Sequence, residues 1–234
     1  MRTTSILILA TSLLTGVAHA ADITGTVTLS GTPPAEKPIT PLKDDPTCGK
    51  FHTEMPMTKF FVVGASKELA DVVVMLKGVP AKPAVASAKP VVMDQKGCLY
   101  IPQIVAIQTG QKLLVKNSDP TLHNVHTQPA VPANKEENHA QMAGGADLSF
   151  SFTAAENFLK FKCDVHTWMF AWVTVVDHPY FAVTGKDGKF TIKDVPPGKY
   201  TVTALHRKAA PGGVDKEVDV AASGATADFT LEIK

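Results

Sequence analysis

The chain has 234 residues, of which 44% are hydrophobic and 19% charged, so it can bury one or two cores and is not compositionally disordered. Its 23 Lys and Arg against 22 Asp and Glu leave a formal charge of +1 with no basic run, which argues against nucleic acid as a partner. With 17 Pro and 16 Gly among many Val and Thr, the composition favours an all-β chain broken by turns, with helix scarce.

Residues 1–20 read as an export signal. Arg2 supplies the positive start, 6–14 are mostly apolar, and Ala18-His19-Ala20 gives a small-x-small cut before Ala21. The apolar run is shorter than the about 20 residues of a bilayer span, and no later segment qualifies. The mature chain is therefore expected in a bacterial periplasm with no membrane span. Without Arg2 it is neutral before His is counted.

Residues 23–29 alternate as a strand, and the five prolines within 32–50 predict an extended connection. Short strands are expected at 60–63 and at 71–76, the second a buried run of Val72, Val73, Val74 and Met75. An Ala/Pro/Lys-rich stretch at 80–90 separates these from strands at 104–107 and 112–116. Residues 128–146 read as a long exposed loop. Leu148, Phe150 and Phe152, then Leu159, Phe161 and Cys163, alternate inward, with Lys160 and Lys162 outward. Further strands are expected at 171–176, 189–192, 200–204 and 227–233.

Three cysteines, Cys48, Cys98 and Cys163, stand in this exported chain. In an oxidising compartment two should pair and one should have another job, and spacing leaves open which. Chemistry concentrates in Cys163-Asp164-Val165-His166-Thr167-Trp168-Met169 and, upstream, in His123-Asn124-Val125-His126. Two His, one Cys and a weak axial Met form the ligand set of blue copper, because thiolate and thioether suit Cu(I) while imidazole serves both oxidation states. A zinc site would need a second Cys/His pair at zinc spacing, and a Cys-His hydrolase an orienting third group; the sequence offers neither.

Val91-Val92-Met93, Leu99-Tyr100-Ile101-Pro102, Gly110, Asn117 and His123-Asn124-Val125, together with the Cys163 loop, resemble the cupredoxins, especially plastocyanin- and amicyanin-like domains. The resemblance spans 90–177 and implies a Greek-key β-sandwich with one type 1 copper held by His123, Cys163, His166 and Met169. It gives Asn124 the task of tying the two ligand loops together and leaves His126 off the metal. It also implies an apolar patch of Trp168, Met169 and Phe170 around a solvent-facing edge of His166, where redox partner proteins would dock. Cys48 and Cys98 then remain as the disulfide pair. His52, Met55 and Met57 form a second His/Met cluster, read as a solvated loop with incidental Met, with Cu(I) handling as the alternative.

Val183-Thr184-Gly185-Lys186-Asp187-Gly188-Lys189-Phe190 and Val195-Pro196-Pro197-Gly198-Lys199-Tyr200 resemble carboxypeptidase regulatory-like (transthyretin-like) β-sandwiches, whose opening strand fits Gly25-Thr26-Val27. The expected organisation is a signal at 1–20, a β segment at 21–89, the cupredoxin at 90–177 and a closing β segment at 178–234. The terminal segments would share one small sandwich; a tandem arrangement is the alternative. The functional expectation is a one-electron carrier and not an enzyme. Its rivals are a copper protein for storage, delivery or sensing, and a structural sandwich with a vestigial site.

Overall fold

The computed structural model describes residues 20–233, so all but the last residue of the expected export signal lies outside the described residues. Strands β1 (Ala21–Ser30) and β2 (Val73–Lys77) open the chain, separated by helix α1 (Thr40–Asp44) and a 3₁₀ turn at Cys48–Phe51. A central group follows: β3 (Val91–Gln95), β4 (Tyr100–Ile101), β5 (Ile104–Gln108), β6 (Leu113–Asn117), β7 (His123–Gln128), β8 (Asn138–Gln141), β9 (Leu148–Phe150), β10 (Glu156–Lys162) and β11 (Phe170–Val176). The chain closes with β12 (Phe181–Val183), β13 (Lys189–Val195), β14 (Gly198–Leu205), β15 (Val214–Val220), β16 (Ala225–Thr226) and β17 (Phe229–Glu232). The described residues are thus almost entirely β.

The central strands make two sheets, β5-β11-β10-β7-β8 and β4-β3-β6-β9. Period-2 alternation sends Leu159 and Phe161 of β10, and Ala171, Val173 and Val175 of β11, into the space between them. There the Phe161 ring meets Phe150 edge-on at 5.4 Å and Phe152 at 6.1 Å. Burying each of these rings stabilises by about 2–3 kcal/mol. Lys160 and Lys162 alternate to the partly exposed face.

A second core lies between two further sheets, built from strands on both sides of the central group. β1 pairs antiparallel with β13 and parallel with β16 and β17, while β2 pairs antiparallel with β12 and β14, and β14 with β15. Gly25 is required in β1 by close approach, since a Cβ there would lie 2.0 Å from the Ala227 carbonyl oxygen.

Four local expectations need correction. Residues 60–63 contribute only the single bridge Val63–Leu69, because Phe60 and Phe61 turn to stack against Phe170 and His206. The loop expected at 128–146 contains β8, paired with β7 from His123–Gln141 to His126–Asn138. Between the strands expected at 200–204 and 227–233 the chain adds β15, which lies at the edge of its sheet, where Asp215, Lys216 and Glu217 stay solvated. The Pro-rich connection holds α1 and the 3₁₀ turn, since Pro41 falls in the first turn of α1, where its fixed φ suits a helix.

Candidate metal centre

β10 ends at Lys162, so Cys163 is the first residue past the strand, and the chain re-enters β11 at Phe170. The loop between them is closed by Met169 N donating to His166 O (2.8 Å) and Cys163 N donating to Met169 O (3.1 Å). β7 lies beside β10, Lys162 opposite His126, which places His123 at the same end of the sheet. One ligand atom each from His123, Cys163 and His166 falls within 4.8 Å of the others. The Nδ1 atoms of His123 and His166 are 2.9 Å apart, and Cys163 Sγ lies 3.7 Å from His166 Nδ1. Met169 is fully buried in the same core as Cys163.

Asp119 sets which face His123 presents. Its carboxylate accepts from Gly97 N (2.6 Å), Cys98 N (2.7 Å) and His123 Nε2 (2.9 Å). With Nε2–H committed to Asp119, His123 Nδ1 faces Cys163 and His166, donating to the sulfur while it holds a proton and offering a lone pair to a metal once that proton leaves. Burial works against ionisation at Cys163, but hydrogen bonds from His123 and from the Asn124, His166 and Val165 main chain outweigh it and hold the thiol below its ordinary pKa. Burial likewise opposes a charged His123, yet Asp119 and Cys163 leave its pKa raised. At His166 burial and the neighbouring His123 prevail, so its pKa is lowered and the ring favours the neutral, ligating form. A thiolate-prone sulfur and two imidazole nitrogens converging in a buried pocket are the donor set that a soft, monovalent or divalent metal requires, and copper fits it.

Asn124 bridges the two loops. Its Oδ1 accepts from Asp164 N (2.6 Å), its Nδ2 donates to Asp164 Oδ2 (3.1 Å), and its main-chain N donates to Cys163 Sγ (3.4 Å). Tyr100 Oη donates to the carbonyls of Asn124 (3.2 Å) and Lys162 (3.3 Å), binding the same pair from beneath. His126 points away from the cluster, its Nδ1 on Asp164 (2.8 Å) and its Nε2 on Glu136 (2.6 Å). Asp119, Asp164 and Tyr100 carry no such role in the sequence reading. For Asp119 a local signal exists: an Asp-Pro turn four residues ahead of a candidate ligand.

The expectation of a solvent-facing His166 edge is not met, because His166 is only 6% exposed. The connection at 39–57 folds over it as a cap, and the Cys48–Cys98 disulfide, with Cα atoms 5.7 Å apart, packs against its ring. Trp168 is half-buried, its ring 5.2 Å from His166 and its Nε1 donating to Cys98 O (3.0 Å). Phe170 faces the other way and stacks on Phe60 (6.2 Å). Trp168 and Phe170 therefore do not frame one exposed patch. In the cap, His52 Nε2 meets the Gly97 carbonyl (2.8 Å), while Met55 and Met57 remain exposed.

Residues 88–176 match the family of copper binding proteins of the plastocyanin/azurin type. That match supports a copper-binding domain of the cupredoxin kind in the central strands, with copper as its cofactor. Among solved structures, the Cu(I) form of an amicyanin point mutant is similar at 20% identity, over 44% of this chain and 97% of that one, with a TM-score of 0.34. A purple cupredoxin from Nitrosopumilus maritimus matches at 20% identity over 36% and 98%, with a TM-score of 0.31. A copper-containing nitrite reductase from Thermus scotoductus matches at 18% identity over 42% of this chain, with a TM-score of 0.34, and the match spans only 26% of that enzyme. No curated protein sequence matches the chain.

Proposed function

We propose that the protein is an exported blue copper electron carrier whose single type 1 copper is held by His123, Cys163 and His166, with Met169 as the weak axial donor. The observation that carries this reading is the convergence of the two Nδ1 atoms and the Cys163 sulfur in a pocket closed to solvent. Bound there, copper supplies a one-electron couple. The chain's part is to hold the donors in place: Asp119 fixes the His123 tautomer, Asn124 ties the ligand loops, and the Phe-rich core excludes water. Rigid donors keep reorganisation small when the charge on the metal changes.

The strands on either side of the central domain are read as one sandwich of the carboxypeptidase regulatory-like kind, a non-catalytic mount into which the copper domain is inserted. The β1–β13, β1–β17 and β2–β14 pairings support insertion over a tandem order. Cu(II) added to the mature protein should give an intense visible band and a narrow-hyperfine EPR signal. Cys163→Ser should remove both while the far-UV spectrum stays that of a β protein; a variant that remains blue overturns the ligand assignment. A second reading, copper storage or delivery, is favoured by the cover over His166, which leaves no exposed imidazole edge. Fast electron self-exchange supports the carrier; slow exchange with transfer of Cu(I) to a competing chelator supports delivery.

A further inference from the structure

The cap brings two more sulfurs to the copper domain. Cys48 Sγ, Cys98 Sγ and a ring nitrogen of His166 lie within 4.8 Å of one another, all three residues buried. Cys98 Sγ also lies within 4.8 Å of ligand atoms of Asp119 and His123. A disulfide that served only to pin a loop would have no need to sit on a buried imidazole. We propose that Cys48, Cys98 and His166 form a second, thiol-gated Cu(I) site, closed while the disulfide is intact and opened by a dithiol reductant. This proposal shares His166 with the blue site but rests on the cap geometry, not on Cys163 or Met169 being copper ligands.

The chemistry balances. The dithiol gives two electrons and two protons: its own sulfurs close into a disulfide, and Cys48–Cys98 opens into two thiols. Each thiol then releases its proton to solvent as its sulfur takes the metal. Two thiolates and one imidazole suit Cu(I), the softer of the two copper ions. Metal–thiolate bonds of about 2.3 Å put two sulfurs on one ion roughly 4 Å apart. Side-chain rotation supplies that separation, since the Cα atoms stand 5.7 Å apart with room for both sulfurs between them.

The cap is also the kind of segment that opens locally. α1 has five residues and no side-chain cap, and the 3₁₀ turn has four. Apart from the disulfide and Leu42, which is buried in the central core, few contacts tie the cap to the domain, His52 Nε2 to Gly97 O (2.8 Å) among them. Segments with so few main-chain bonds open at free energies well below global unfolding. A small dithiol can therefore reach sulfurs that are buried on average.

The test uses the full mature chain carrying Cys163→Ser, which removes the blue site's thiolate and leaves the proposed site intact. Thiol titration of the folded protein should find no free thiol before dithiothreitol and two after it. Cu(I) competition against a chromogenic chelator should then show one equivalent bound by the reduced form. Its affinity should exceed that of the oxidised form by at least about 10-fold, the low end of what losing even an outer-shell partner of a metal costs. X-ray absorption of that Cu(I) should show two sulfur neighbours and a nitrogen. The triple variant Cys48→Ser, Cys98→Ser, Cys163→Ser should lose the tight site, with or without dithiol. Equal Cu(I) affinity in the reduced single variant and the triple variant overturns the proposal. So does a disulfide that dithiothreitol leaves intact in the folded protein. Loss of the blue site's spectrum in Cys163→Ser is a separate readout, so the two assignments fail independently.

Discussion

Acidification should weaken the outer sandwich through His206. This residue follows β14, is 7% exposed, and packs its ring 5.2 Å from Phe61. Its Nδ1 accepts from Lys208 N (3.2 Å) and Ala209 N (3.0 Å), which requires a neutral ring with a lone pair on that nitrogen. Burial, with Arg207 beside it, pushes the imidazole down to about 4. Unfolded, it titrates near 6.5. The folded pKa lies below the unfolded one, so the neutral ring's contribution is complete above about pH 6.5 and is lost as pH falls toward about 4. That gap, at about 1.4 kcal/mol per pH unit, amounts to about 3 kcal/mol. His206→Asn places an amide oxygen near the Nδ1 position and removes the titration. Urea unfolding across this pH window should show the parent losing about 3 kcal/mol more than the variant. Parallel losses would mean that His206 contributes no pH-dependent stability, because other titrating groups are common to both chains.

Met169→Leu withdraws the axial thioether, from which Cu(II) has more to lose than Cu(I), so protein-film voltammetry should show a raised potential; Met169→Gln should lower it. If neither substitution moves it, Met169 is not axial. Asp119→Asn keeps one acceptor oxygen for three donors, so the hold on His123 should loosen and copper affinity should fall by roughly 10- to 100-fold in chelator competition. Gly25→Ala drives a Cβ into the Ala227 carbonyl and should lower the thermal midpoint without moving the blue band, since the clash lies in the outer sandwich.

What the sequence makes legible is what local spacing encodes. Cys163, His166 and Met169 share one loop, and the alternation of Leu159 and Phe161 announces the strand that delivers it. Gly25-Thr26-Val27 and Gly185-Lys186-Asp187-Gly188 mark the outer strands through turn and close-approach chemistry. β8 escapes such a reading because Asn138-His139-Ala140-Gln141 carries no β-branched residue and owes its form to main-chain pairing with β7. β15 escapes because an edge strand keeps its charges. The cover over His166 is illegible for a different reason: it is made by residues far upstream, which the Cys48–Cys98 link ties covalently to the domain. The expected docking patch assumes a bare imidazole edge, which that tertiary contact removes.

The parallel pairing of β1 with β17 bears on how the chain is made. Thr26, in β1, bonds across to Asp228, 202 residues later. The central domain is complete once Val176 has emerged, whereas β1 must wait for a partner near the end of the chain. At about 5–20 residues per second, the interval from β11 to β17 lasts roughly 3 to 10 s. Until β13 emerges β1 has no strand partner on either side, and until β17 emerges it keeps one edge open. A stop codon placed after β15 should therefore yield a protein that still binds copper but aggregates through β1, so the last few residues govern solubility more than colour.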